Sequence, residues 1–416
     1  MKELFNSLKR HQFFTLSAGV VSAQLLSLAC IPVLTRIYPV EGFGYFAVYA
    51  AIATIIGVFS TLRLEMAVPI AEDQPEADQM SALCLAMALS VGAFLLMIFA
   101  VPQVRELFPS MDQRFGTWAL IAVAAVLVAW VQVITQRVLR NGRLKYISIR
   151  HIVEKSLFLG VAFLAAHLEF TFTGLIIGQT VGSFGSVVVL FLGSAWRPRL
   201  DTASITRLFK KYSDFPKFNS LSMALQLGSN QLPTLIYSNL FPVQGLGFLN
   251  LAQRVADAPS TIVTSALAAV FYRRVIDAPR DAYRRIFLRG LLWCFLVFAL
   301  PAVVVSLYAE PLLRFVFGEP WAAAAPYFVA LIPLTVARLS FTLQQGILIV
   351  MRRLDIDLRI SGMVLGAQIA GMIAGIYLTD DLLGPVMLAS IFSAIVYAYS
   401  LVMIYQLVNQ KPVSQL

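Results

Sequence analysis

The stretch SALCLAMALSVGAFLLMIFAV, residues 81–101, runs for 21 positions without a charged side chain. At ~1.5 Å per residue, a helix of that length reaches about 30 Å, the thickness of a bilayer's hydrocarbon core. No water reaches the backbone there, so the segment must satisfy its own N–H and C=O groups, and a helix does so. Comparable apolar runs extend from this stretch in both directions. They place spans near 13–34, 44–62, 81–101, 117–135, 147–166, 173–192, 217–240, 246–270, 286–308, 324–350, 360–378 and 384–407. The fifth is the most polar at its start, with His151, Glu154 and Lys155 in its first turns. Hydrophobic residues make up 59% of the 416 positions and charged residues 13%, too few charges to solvate the exterior of a soluble protein. The expected fold class is an all-α polytopic membrane protein of about twelve transmembrane helices.

Lysine and arginine placement sets the expected orientation. One set of connections carries Lys2, Lys9 and Arg10, then Arg137, Arg140, Arg143, Lys145 and Arg150, then the Arg197–Lys217 segment. It continues with Arg273, Arg274, Arg280, Arg284, Arg285 and Arg289, then Arg352, Arg353 and Arg359, and ends at Lys411. The opposite side holds Arg36, Arg105, Arg114 and Arg314. By the positive-inside rule the basic side is cytoplasmic, which puts both termini there. The loop after the second span departs from the pattern: Arg63 is outnumbered by Glu65, Glu72, Asp73, Glu76 and Asp78. Acidic residues contribute little to orientation, so the assignment stands. The net charge of +10 then reflects topology and anionic lipid headgroups rather than nucleic-acid binding. Phe13 to Leu34 is too long for a signal-peptide core and reads as a retained first span. Cys30, Cys84 and Cys294 all fall inside spans and read as packing residues.

An internal repeat is visible. Pro39-Val40-Glu41-Gly42-Phe43-Gly44-Tyr45-Phe46 follows the first span, and Pro242-Val243-Gln244-Gly245-Leu246-Gly247-Phe248-Leu249 follows the seventh. Pro32 and Pro233 occupy corresponding spans upstream. Two six-helix units of the same orientation imply parallel repeats, as in several transporter folds. The expected division is a lobe at 1–195, a basic cytoplasmic linker at 196–216 and a second lobe at 217–416. Gly178, Gly182 and Gly185, like Gly371 and Gly375, have the spacing that lets helices approach closely.

The sequence carries no metal-ligand spacing, phosphate loop, GxSxG turn or CxxC pair, and no cofactor motif. The expected extracytoplasmic loops are short and hold few polar residues, so an enzyme active site is not expected. The unusual residues lie inside spans. Arg254 falls in the eighth and Arg338 near the middle of the tenth. A mid-membrane arginine costs about 2.5–3.5 kcal/mol even on the lenient insertion scale, so each needs a counter-charge, an anion or a watery cavity. For Arg254 two readings stand: an intrahelical pair with Asp257, three residues on, or a ligand site. Arg338 has no acid within a helical turn, which favours a cavity role. Gln226, Asn230, Gln231 and Asn239 in the seventh span, Gln253 in the eighth, and Gln344 and Gln345 in the tenth enrich the same region. They serve either as walls of a polar cavity or as helix–helix hydrogen bonds. Pro32, Pro233, Pro259, Pro301 and Pro333 permit kinks a transporter could use.

Four stretches carry a family resemblance: Ile31-Pro32-Val33-Leu34-Thr35-Arg36-Ile37-Tyr38-Pro39 running into Phe43-Gly44; Leu62-Arg63-Leu64-Glu65-Met66-Ala67; Leu232-Pro233-Thr234; and Gly247 to Val255 followed by Pro259. With them the chain resembles the Wzx-like O-antigen and polysaccharide flippases of the multidrug/oligosaccharidyl-lipid/polysaccharide exporter superfamily. The resemblance implies two six-helix lobes around a central cavity. It implies translocation of an undecaprenyl-pyrophosphate-linked oligosaccharide across the bacterial inner membrane, for O-antigen, capsule or exopolysaccharide synthesis, by alternating access. The expected partners are the lipid-linked oligosaccharide, the membrane, and a proton or sodium gradient. Arg254, Arg338, Gln253, Asn230 and Gln344 are then the expected pyrophosphate and sugar residues. Asp257 is the expected coupling or ion-pair residue, and Arg63 with Glu65 the expected gate pair. Two other functions fit a multispan chain: a polymerase or ligase, which usually carries a large catalytic loop, and a drug or organic-cation antiporter, which would want acids in its cavity.

Overall fold

The computed structural model describes residues 21–22, 24–108, 111–170, 172–196, 201, 205–351 and 353–409. Lys2, Lys9, Arg10, His11, Arg197, Arg199, Arg352, Lys411 and the start of the first predicted span lie outside the described residues, as do the side chains of Pro259 and Arg273. The described chain is all-α, without a strand. Its long helices are α1 (Gln24–Ile37), α2 (Val40–Phe59), α3 (Gln74–Ala100), α4 (Phe115–Arg140), α5 (Lys145–His167) and α6 (Gly174–Ser194). They continue as α7 (Ser220–Leu240), α8 (Val243–Asp277), α9 (Tyr283–Leu307), α10 (Ala325–Val350), α11 (Leu354–Leu378) and α12 (Leu383–Asn409). Each predicted span falls on one of them, so the chain is a polytopic helical membrane protein.

Eight of these helices are long and apolar enough to cross a membrane by length and composition alone. Apart from α1, the helices that fall short are α5, α7 and α8, whose spans carry the polar residues singled out from the sequence.

By packing the chain divides into two units, Met1–Gly247 and Phe248–Leu416. In the first, α3 begins seven residues before the predicted apolar run. Asp73 caps it, its Oδ1 accepting from the Glu76 amide at 2.7 Å, while Glu76 Oε2 accepts from the Glu72 amide at 2.9 Å. These reciprocal bonds satisfy amide groups a helix start leaves open, so the polar turn before the span is helical too.

The acidic loop that broke the charge pattern is neutralised locally. Arg140 of α4 donates from Nη1 to the carbonyls of Val68, Pro69 and Ala71 at 3.2, 3.1 and 2.9 Å, and from Nη2 to that of Asp73 at 3.0 Å. Arg137, fully buried, pairs with Asp78 and lies over the Trp196 ring. Lys211, ending the short helix Ile205–Lys211, reaches Glu76 at 2.6 Å and Glu72 at 3.0 Å. Those carboxylates, Glu76 foremost, hold its ammonium above the usual lysine range.

The two copies of the repeat meet within the first unit. A Cβ on Gly44 would lie 2.2 Å from the Val243 carbonyl oxygen, and one on Gly247 would lie 2.0 Å from that of Val40. Val40 and Val243, like Gly44 and Gly247, are equivalent repeat positions. The contact is therefore reciprocal, and glycine at both places lets the backbones touch. Glycine spacing sets the α5–α6 and α11–α12 contacts as well: Cβ atoms on Gly182 and Gly371 would meet the carbonyl oxygens of Glu154 and Leu388 at 2.6 and 2.5 Å.

Candidate functional site

Four polar side chains share one face of α8. Asn250, Gln253, Arg254 and Asp257 stand at i, i+3, i+4 and i+7, which puts them on one stripe of the helix. Arg254 donates from Nε to Asn250 Oδ1 at 2.9 Å, so the guanidinium is anchored along the stripe. Asp257 forms an ion pair with Arg338 of α10, 81 residues away in sequence. Counting ~1.5 Å per residue from each helix start, both partners sit about 20 Å in, deep within their spans. The pair is not sealed: the side chains keep 46% and 32% of their surface accessible. A mid-span arginine that is both paired and accessible can exchange its carboxylate for an incoming anion, since a charge-assisted bond replaces one of like kind. Asp257 thus supplies the partner for Arg338 that its own helix lacks.

The other named residues are placed differently. Gln344 is fully buried and donates from Nε2 to the Phe287 carbonyl at 3.2 Å, in space left by Gly290. That bond ties α10 to α9, the helix–helix role. Gln345 donates to Asp357 Oδ1 of α11 at 2.8 Å. Gln253 is half-buried on the α8 stripe. In the first unit, Asn230 is exposed on α7 one turn after Gln226, also exposed, so these amides form a short polar stripe.

Arg63 and Glu65 lie just past the second helix rather than at its end. Leu62 and Arg63 both adopt left-handed backbone, at φ 51° and 62°, which stops α2 at Phe59 and starts a 3₁₀ turn, Leu64–Ile70. Non-glycine residues rarely take this conformation and need surrounding structure to hold them. Glu65, fully buried, supplies it: it pairs with Arg63 at 2.9 Å and accepts from the Thr61 hydroxyl at 2.6 Å. Arg63 also donates to Gln132 Oε1 of α4 at 3.2 Å.

Two features were not singled out from the sequence. Asn250 is one; its i, i+4 relation to Arg254 was the available signal. The other is a cluster around Glu154 of α5. Its Oε2 accepts from Ser186 of α6 at 2.9 Å and its Oε1 from Gln179 at 3.3 Å, while Arg150 and Lys155 each stand 3.5 Å away. This is why a helix with four charges in its first turns still packs: its carboxylate is paired and hydrogen-bonded.

The described helices thus form a polytopic membrane chain with an ion pair deep in its spans. Solved structures agree on the fold. "Lipid II flippase MurJ, inward closed conformation" is similar at 12% identity with a TM-score of 0.75, over 93% of this chain and 86% of that one. An inward-facing multidrug resistance MATE transporter of the MOP superfamily is similar at 12% identity and a TM-score of 0.65, over 95% and 94%. The Vibrio cholerae MATE transporter VcmN in its bent form is similar at 14% and 0.56, over 96% of each chain. No curated protein matches the sequence. The family described as "Polysaccharide biosynthesis protein" matches residues 33–326, most of the chain, and the protein belongs to that family.

Proposed function

We propose that this protein is a flippase that moves undecaprenyl-pyrophosphate-linked oligosaccharide repeat units across the bacterial inner membrane by alternating access, for O-antigen, capsule or exopolysaccharide synthesis. The accessible Arg338–Asp257 pair deep within α10 and α8 carries this reading. Membership of a polysaccharide biosynthesis family supports the saccharide cargo, and a fold shared with a lipid II flippase supports a lipid-linked one. The pyrophosphate binds Arg338 and the neighbouring Arg254, displacing Asp257. Gln253 on the same stripe takes a hydroxyl of the sugar. Once displaced, Asp257 is free to take a proton or sodium ion, which makes it the coupling residue of the cycle. Both termini are cytoplasmic, and no covalent step takes place on the chain.

The test is to delete the gene in a strain that makes the polymer and to locate single lipid-linked repeat units. Units trapped on the cytoplasmic side, restored to the surface by the wild-type gene, are the expected result. Unpolymerised units reaching the surface, or an unaltered polymer, would sink the proposal.

A further inference from the structure

The second unit contains an apolar cavity of about 230 Å³. Val255 and Ala256 of α8 wall one side, Val297, Phe298 and Ala302 of α9 another, and Thr335 and Leu339 of α10 a third. Three properties make it more than a packing defect. The first is size: a dry apolar cavity of 150 Å³ accommodates benzene, so by proportion this one holds on the order of nine carbon atoms, about two isoprene units. The second is its outer wall. α9 is the least enclosed candidate span, with 11% of its apolar window buried against 67% for α2. Trp293, Phe295, Leu300 and Val303 of α9 are all exposed, so the helix stands largely in lipid. It is also irregular where it lines the cavity. Phe295–Ala299 is a π turn, and Pro301 has no amide to offer the preceding turn, which widens the helix beside Val297 and Phe298.

The third property is position. Val255 and Ala256 lie between Arg254 and Asp257 in sequence, and Val336 and Leu339, both in the cavity wall, flank Arg338. One end of the cavity is thus level with the ion pair, on different faces of the same two helices. Charge for a polar head and a slot for hydrocarbon at one depth, beside a lipid-facing helix, are what an amphiphile with a charged group directly attached to its chain requires.

We propose that the slot between α8, α9 and α10 binds the first isoprene units of the polyprenyl chain, next to the pyrophosphate, while the rest of the chain stays in the bilayer. The inference rests on the flippase reading for the identity of the chain. The occupant is a polyprenyl chain rather than a phospholipid acyl chain because the slot is small and level with an anion site. That suits branched five-carbon units attached directly to a phosphate, whereas a glycerol backbone separates acyl chains from theirs.

The experiment uses the full-length protein in phosphatidylethanolamine–phosphatidylglycerol vesicles. The probe is a polyprenyl pyrophosphate carrying a diazirine on its second isoprene unit, with cross-linked peptides mapped by mass spectrometry. Labelling should concentrate on residues 297–305 and 328–339. It should fall about tenfold in Ala302→Phe, which fills the slot, and persist in Val303→Phe, which places the same aromatic ring on the lipid-facing side of α9. Labelling unchanged by Ala302→Phe, or equal labelling of these peptides by a diazirine-bearing phosphatidylglycerol, would overturn the assignment. The two readings fail separately. Labelling unchanged by Ala302→Phe, with units trapped in the deletion strain, would remove the slot and leave the flippase standing. Slot labelling that persists while deletion leaves lipid-linked units where they were would remove the flippase and leave a polyprenyl-binding site.

Discussion

Arg63–Glu65 in the first unit and Arg338–Asp257 in the second are the same chemical pair in opposite surroundings. Glu65 is fully buried, bonded to Thr61, and close in sequence to its partner. Asp257 and Arg338 come from different helices and both keep a substantial accessible surface. A buried pair brings little net stability, but removing one member strands the other charge, so its consequence is structural. An accessible pair at membrane depth keeps a charge where lipid would exclude it, and that charge can be traded for a ligand's. Exposure, rather than the presence of an ion pair, separates the brace from the candidate site.

The largest effect is expected where the arginines of the candidate site are removed. Replacing Arg254 and Arg338 together by Gln deletes two charge-assisted contacts to an anion, each about 1.5–3 kcal/mol. The combined loss corresponds to roughly a hundredfold or greater drop in transport. Surface polymer and trapped repeat units, read at matched protein levels, measure it. Transport intact at normal levels would break the comparison at its functional end.

Next comes the buried pair, read through stability. Glu65→Gln strands Arg63 and should cost about 3–5 kcal/mol, seen as a lower thermal midpoint in detergent. Arg63→Gln combined with Glu65→Gln should recover much of that, because no buried charge is left alone. A double variant as unstable as the single one would mean the pair does not hold the left-handed turn. The charge swap Arg63→Glu with Glu65→Arg should likewise restore whatever transport the single changes lose.

Arg140→Gln comes third, at about 1–3 kcal/mol for the hydrogen bonds it removes. Its effect should be local: faster amide exchange over residues 64–74, with the rest of α3 and α4 unchanged. Protection as in the wild type would show that Lys211 and Arg137 suffice to hold the acidic loop.

The spans were legible because a run of about 20 apolar residues has one stable state in lipid, and that rule is local. Boundaries were less so. Two consecutive left-handed residues at Leu62 and Arg63, neither of them glycine, leave no mark in the sequence, and the polar turn opening α3 becomes helical only through Asp73 and Glu76. The acidic loop broke the charge pattern because its partners, Arg137, Arg140 and Lys211, lie 59 or more residues downstream. In the candidate site, depth and residue type pointed to Arg254, Arg338 and Asp257. Which acid meets which arginine was invisible, because a search within one helical turn cannot see a partner 81 residues away.

Gln344 shows the limit of counting polar residues in a span, and it supplies the smallest expected effect. Read from the sequence, it belongs with the cavity amides. In the structure its amide is enclosed, its Nε2 bonded to the Phe287 carbonyl. Its Oε1 is buried without a hydrogen-bond partner among the described residues. Gln344→Met keeps the length and volume while removing both groups. The loss of one neutral hydrogen bond, about 1 kcal/mol, is offset by no longer burying an unsatisfied acceptor. Stability should therefore change by less than about 1 kcal/mol, and transport should match the wild type. Gln253→Met, by contrast, removes an amide from the same stripe as Arg254 and should reduce transport several-fold at unchanged stability. If the two variants behaved alike, accessibility would lose its standing as the criterion that separates the site from the packing around it.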